Sequence, residues 1–179
     1  MGGRLAALFG LLASAPTAAL AQPSGEAYLS GSVSRQTSPA GSATLTGVAV
    51  GFSIGSPTVV FGPELLLQNG DSVRLRAFAV AARLRQGGRW IHPHLAAGLG
   101  IYSWQRLTPP DPGNPFQTRA TWQDINYVSG MLGGGATVGP WRGRITGVFE
   151  ARWHRNLEQD SVNGSRSLIG IEAGLRVAW

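Results

Sequence analysis

The chain has 179 residues, enough for one domain, and no cysteine, which excludes a disulfide framework and a thiolate metal site. Only 13% of residues are charged and 26 are glycine, but a hydrophobic content of 43% excludes a disordered chain. All 15 cations are arginines scattered without a basic stripe or a nucleic-acid motif, so the net charge of +6 favours anionic lipid headgroups over nucleic acid as a partner.

The first predicted element is an export signal. Arg4 supplies a positive start, an apolar run covers 5–12, and Ala19-Leu20-Ala21 offers a small-residue cleavage site. The apolar run is too short to span a bilayer as a helix, and this order of features is that of a secretory signal peptide. We therefore predict a signal peptide at 1–21 and a mature domain at 22–179, exported from the cytoplasm.

The remainder of the chain alternates apolar and polar residues with a period of two, which indicates β-strands. The last strand is the clearest, with Ile169, Ile171 and Leu175 on one face and Glu172 and Arg176 on the other. The pattern predicts eight strands, at about 26–36, 43–54, 58–68, 72–85, 91–104, 122–138, 144–156 and 166–179.

The connections between the strands differ in length. Short turns rich in glycine follow the second, fourth and sixth strands, whereas the connection at 105–121 is long and contains four prolines. An even number of strands, with short turns at one end and a longer loop at the other, is typical of bacterial outer-membrane barrels. We therefore predict an all-β fold, an eight-stranded antiparallel up-and-down transmembrane β-barrel.

The polar faces of these strands are rich in glycine, alanine and serine. A face exposed to water has no need of such small residues, but the lumen of an eight-stranded barrel is only wide enough to be filled by side chains. We therefore place the polar face inward. Charges there must pair, and neighbouring strands are expected to supply the partners. The third and fourth strands bring Glu64 near Arg74 or Arg76. The seventh and eighth strands bring Glu150 and Arg152 near Glu172 and Arg176. A plug of ion pairs is favoured over a proton or ion path. The predicted lumen ion pairs involve Glu64, Arg74, Arg76, Glu150, Arg152, Glu172 and Arg176.

The six tryptophans are distributed toward both predicted ends of the barrel. Indole rings are apolar with one polar group, and they form girdles at both membrane interfaces of such proteins. We predict interface positions for Trp90, Trp141 and Trp179 at one end and for Trp104, Trp122 and Trp153 at the other.

Two segments resemble the OmpA-like and OmpX-like superfamily of small outer-membrane barrels. The chain ends on Glu172-x-Gly174-x-x-Val177-x-Trp179, which is similar to the terminal signal read by the barrel assembly machinery. The stretch 93–100 matches the family's P-x-x-x-A-G-x-G strand, with His94 in place of the usual aromatic residue. The resemblance implies an outer-membrane location, contact with lipid and lipopolysaccharide, and no particular activity.

The histidines are the candidate chemical groups. His92 and His94 share a strand face, as zinc ligands can, but His154 is expected too far away to complete a metal site. His154-Arg155-Asn156 also resembles the His-x-Ser of outer-membrane lipid A deacylases, whose catalytic pair faces the lipid. Asn156 stands at the position of the serine nucleophile. Ser161 or Ser165 would have to act as the nucleophile instead, and neither has the His-x-Ser spacing.

We therefore expect a structural or surface-interaction barrel without catalysis, metal or cofactor, whose external partner is unknown. Two alternatives stay open: a lipid A deacylase-like enzyme with His154 as its candidate catalytic residue, and a soluble periplasmic lipocalin-like barrel that binds lipid. The second would place its apolar face inside.

Overall fold

The computed structural model describes residues 24–38, 41–110, 113, 119–140, 143–157 and 166–179. The predicted signal peptide lies outside them. No helix in this part of the chain is long and apolar enough to cross a bilayer. The described chain forms eight strands: β1 (Ser24–Ser38), β2 (Gly41–Gly55), β3 (Val59–Asn69), β4 (Val73–Arg85), β5 (Ile91–Thr108), β6 (Thr121–Val138), β7 (Ile145–Asn156) and β8 (Ser167–Ala178).

These strands form a closed antiparallel barrel in which each strand pairs with its neighbour in sequence. Closure comes from pairing of β1 with β8, which runs from Glu26 opposite Ala178 to Thr37 opposite Ser167. Because every edge is paired, the barrel exposes no free strand edge. We call the end that holds the start of β1 and the end of β8 the terminus end, and the end with connections 109–120 and 157–166 the loop end.

The predicted fold class is therefore confirmed, and the strand bounds differ by at most four residues. The largest difference is in β5, which was predicted to end at 104 but pairs with β6 as far as Thr108. Residues 105–108 lack a clean alternation, yet they continue the backbone ladder. The strand ends directly before Pro109 and Pro110, which have no backbone N–H to donate.

The outer wall of the barrel is apolar over most of its height. Side chains of alternate residues point outward and remain exposed, whereas the residues between them are buried. Large exposed apolar residues occur on all eight strands, and include Leu29, Val50, Phe52, Phe61, Phe78, Val80, Leu95, Leu99, Ile101, Leu132, Phe149, Ile171 and Leu175. A soluble barrel would bury these side chains, so the predicted orientation of the two faces is the one observed.

Candidate functional site

The candidate site is the lumen, and its middle is occupied by a closed cycle of four charged residues. Arg83 contacts Glu64 at 3.0 Å and Glu150 at 3.1 Å. Arg152 contacts the same two carboxylates, Glu150 at 2.7 Å and Glu64 through its Nη1. All four side chains are almost fully buried. Each arginine therefore bridges two glutamates, and each glutamate accepts from two arginines.

This cycle connects opposite walls of the barrel. Glu64 and Arg83 lie on β3 and β4, whereas Glu150 and Arg152 both lie on β7, on the far side of the closed sheet. Such pairs fix the distance between walls that share no backbone hydrogen bonds. Because arginine presents its donors in a rigid planar fork, it suits two carboxylates at once.

Three further groups extend the cycle and satisfy its remaining donors and acceptors. The Tyr28 hydroxyl accepts a 3.0 Å hydrogen bond from Arg83, whose guanidinium also lies over the tyrosine ring. His94 Nε2 lies 3.0 Å from Glu150. Glu172 contacts Arg152 at 3.2 Å and accepts a hydrogen bond from Ser30. Buried charges are tolerated only when they are paired and hydrogen-bonded, and this arrangement meets both conditions.

A second ion cluster lies nearer the terminus end. Arg85 donates to both oxygens of Glu26, at 2.6 and 2.5 Å, and Arg176 approaches the same carboxylate at 3.2 Å. Arg176 also donates to Thr146. The bidentate Arg85–Glu26 pair joins β4 to β1, again across the lumen.

Glycine makes room for the charged cycle. Gly133 points inward on β6, and a Cβ atom there would lie 3.0 Å from Glu150 Oε1 and 3.2 Å from Arg152 Cγ. At Gly51, a Cβ atom would overlap the ring of Tyr28. The high glycine content therefore has a local physical reason, since a narrow lumen cannot hold long charged side chains and a full set of Cβ atoms.

Toward the loop end the lumen is filled by apolar and aromatic side chains instead. Tyr102 and Trp104 of β5 are buried there with Leu45, Leu75 and Leu168. The Tyr102 hydroxyl lies 2.5 Å from His154 Nδ1, at the boundary between the apolar and ionic parts. Below a small polar mouth, the described lumen is thus closed by an ionic layer and an apolar layer.

The placement of Arg74 and Arg76 in the lumen was wrong. Both side chains are exposed on the outer wall of β4, near its loop end, and Arg74 lies 4.2 Å from the ring centroid of Trp122. Glu64 was expected to pair with one of them, and it pairs with Arg83 and Arg152 instead. The reason is depth: arginine on the outer wall is costly in the middle of a membrane but is accommodated at the rim, beside water and headgroups.

Sequence reasoning missed Glu26, Arg83 and Arg85. A signal for the two arginines was present, because they share their face of β4 with Ala77 and Ala79, and small residues were the marker of the lumen elsewhere. Arg176 was predicted as part of a β7–β8 group, but its carboxylate partner is Glu26 of β1. Glu150, Arg152 and Glu172 do lie together, through the contacts of Arg152.

The tryptophans divide into an outer and an inner group. Trp90, Trp153 and Trp179 are exposed on the wall and Trp122 is half-buried, whereas Trp141 lies outside the described residues. The interface position predicted for Trp104 was wrong, because its side chain points into the lumen and is 2% exposed. It shares the inward parity of His92, His94 and Tyr102 on β5.

The histidines are all buried on the inward face. His92 accepts a hydrogen bond from the Gly88 amide through Nδ1, and its Nε2 lies 2.7 Å from the Gly139 carbonyl oxygen. No cluster of three potential metal ligands occurs within the described residues. His154 faces the lumen rather than the lipid, contrary to what the deacylase resemblance implies. Ser161 and Ser165 lie outside the described residues.

Within the eight strands, the charged residues of the outer wall lie near one end only. Within the strands, the outward-facing arginines are Arg35, Arg74, Arg76 and Arg155, and each is exposed within a few residues of the loop end. Asp124 is the single outward-facing carboxylate of the strands. We call these four residues the rim arginines. They give the loop end a net positive outer surface that the terminus end lacks within its strands.

No protein-family profile and no curated protein matches the chain. Solved structures do match it. Neisserial surface protein A is 13% identical, with a TM-score of 0.69 over 86% of this chain and 96% of that one. Ail of Yersinia pestis, crystallised with the heparin analogue sucrose octasulfate, is 10% identical, with a TM-score of 0.59 over 88% and 99%. The N-terminal barrel of Pseudomonas aeruginosa OprF is 14% identical, with a TM-score of 0.51 over 87% and 99%. The fold is that of small eight-stranded outer-membrane barrels.

Proposed function

We propose that the protein is an integral outer-membrane barrel that acts as a closed, rigid anchor and presents its loop end for surface interactions, without catalysis. The observation that carries the proposal is the exposed apolar wall around a lumen whose four buried glutamates all pair with arginines. In water such a wall would drive aggregation, whereas in lipid it is the favoured surface. A soluble lipid-binding barrel would need the opposite arrangement of faces.

The rim arginines support one orientation of the barrel. The outer surface of a bacterial outer membrane presents lipopolysaccharide, whose phosphates are anionic, and arginine forks bind phosphate well. We therefore propose that the loop end faces outward, with Arg35, Arg74, Arg76 and Arg155 at the level of the phosphates. The longer connections then reach the cell exterior, where loops commonly bind partners.

The C-terminal signal remains part of the proposal. Val177 and Trp179 lie exposed on the outer wall at the terminus end, and the Trp179 ring packs near Phe52 at 5.7 Å between centroids. Both side chains are accessible to an assembly factor that approaches from the side of the strand edge before the barrel closes. Cleavage of residues 1–21 is expected to precede this step.

Membrane fractionation and gel mobility test the proposal together. We expect the protein in the detergent-extracted outer-membrane fraction, and a shift in its mobility between unboiled and boiled samples, because a closed barrel resists detergent denaturation. The R74Q/R76Q double variant should fold equally well but should lose the extra thermal stability that lipopolysaccharide adds over phosphatidylcholine. Recovery as a free periplasmic protein would contradict the anchor, and an unchanged response of R74Q/R76Q would contradict the orientation.

A further inference from the structure

A polar cavity opens at the loop end of the lumen, above the apolar layer. Its volume is about 100 Å³. Its floor includes Trp104, and its wall includes Arg106 and Arg166. The other polar residues that line the cavity are uncharged, namely Gln36, Ser38, Ser42, Ser72 and Gln105.

Two of the lining side chains carry hydrogen-bond donors without a partner. Trp104 is 2% exposed and its indole Nε1 makes no hydrogen bond, and Arg166 is 6% exposed with its Nε equally unpartnered. Both atoms can only donate. A buried polar group without a partner costs about 1–3 kcal/mol. Both atoms lie beneath the accessible surface, so an acceptor reaches them only if the two side chains shift when it binds.

The distribution of charge around the cavity also favours an anion. Arg166 continues the inward face of β8 one residue before the strand begins, and none of the described residues that line the cavity is a carboxylate. The nearby Tyr127 ring lies 5.6 Å from its guanidinium and supplies a weak cation–π contact only. Elsewhere in the described lumen Arg83, Arg85 and Arg152 each contact at least one glutamate. Water can hydrate the guanidinium, but it cannot neutralise the charge of the arginine.

We propose that this cavity binds a small oxyanion, phosphate or sulfate, either free or as the terminal group of a larger solute. The anion pairs with the guanidinium of Arg166, Arg106 adds a second positive charge, and the Trp104 indole lines the same cavity. Arginine pairs with tetrahedral oxyanions through parallel N–H donors, and the cavity is large enough for one such group. The site is distinct from the rim arginines, which face outward.

The test uses the full barrel in a non-ionic detergent and follows the Trp104 indole ¹H–¹⁵N signal, assigned by its absence in W104F. Titration with inorganic phosphate should shift this signal saturably, while chloride at the same ionic strength should not. R166Q should weaken the apparent affinity at least tenfold, the equivalent of about 1.4 kcal/mol. The matched control is R144Q, an exposed arginine at the terminus end, which should bind as the parent does.

A parallel titration with glucose 1-phosphate distinguishes the two sources of the anion. A shift of the same signal, competing with phosphate, assigns the site to a terminal phosphate group; a shift with inorganic phosphate alone assigns it to the free ion. If R166Q fails to fold, R106Q serves as the second variant, and a severalfold loss of affinity is expected. No saturable shift, an equal shift with chloride, or full binding by folded R166Q would overturn the proposal, whether or not the barrel resides in the membrane.

Discussion

Toward the terminus end, the described lumen holds four arginines and four glutamates in two bridged clusters, whereas toward the loop end it is packed with Leu45, Leu75, Tyr102, Trp104 and Leu168. Both layers exclude water, but ion pairs stabilise the first and close packing stabilises the second. The ionic layer is stable only if every buried charge has a correctly oriented partner of opposite sign. The stability of the apolar layer depends on how completely its side chains fill the lumen, because dispersion contacts are lost wherever a gap remains. Side-chain changes of similar size should therefore have different consequences in the two layers.

The largest effect is expected from R152M in the ionic layer. Removal of this guanidinium leaves Glu64, Glu150 and Glu172 with fewer cations than carboxylates, which should cost about 3–5 kcal/mol of stability, as for other broken buried ion pairs. Urea titration in lipid bilayers, read by tryptophan fluorescence and gel mobility, measures the change. R155M, on the outer wall of the same strand, is the control and should change stability by less than ~0.5 kcal/mol. A loss below about 1 kcal/mol for R152M would mean that the carboxylates are hydrated rather than held by the arginine.

An intermediate effect is expected from L75A in the apolar layer. The truncation leaves a cavity in a closed lumen, and such a change typically costs about 3 kcal/mol. The control is L84A on the same strand, whose side chain faces outward, so lipid or detergent fills the space. Equal losses for the two variants in the same titration would contradict a tightly packed loop-end half.

The smallest effect is expected at the boundary between the layers. Y102F removes the hydroxyl that lies 2.5 Å from His154 Nδ1 and leaves a buried ring nitrogen without that partner, at a cost of about 1–2 kcal/mol. Y127F is a matched control, because the Tyr127 hydroxyl is buried without a hydrogen-bond partner and its removal should be neutral or stabilising. If Y127F proved as damaging as Y102F, the Tyr102–His154 contact would have no special role.

Much of the fold was predictable from the sequence. Period-two alternation located the eight strands, and the concentration of glycine, alanine and serine on one face identified the lumen. The errors occurred where a side chain was assigned to the lumen because it is charged, and not because it shares a face with small residues. Arg74 and Arg76 were assigned to the lumen because they are charged, although Phe78 and Val80 share their face. The same parity also places Trp104 inside with His92 and His94.

The pairing partners were not predictable in the same way. Neighbouring strands were expected to supply them, but Arg83 reaches Glu150 and Arg85 reaches Glu26 across the lumen. These residues are far apart in the chain and share no ladder. Their approach follows from the diameter and the stagger of the closed barrel, which alternation does not encode.

By itself, then, the sequence determined the number of strands, their order and which side chains point to the axis, because these follow from a local repeat of two residues and from side-chain size. Only the tertiary structure decided the height of each residue along the barrel, and with it the partner of each charge, the outward position of the rim arginines and the unpartnered donors beneath the mouth. The height of a residue depends on the registers of all strand pairs around the barrel, so no single segment of the chain determines it.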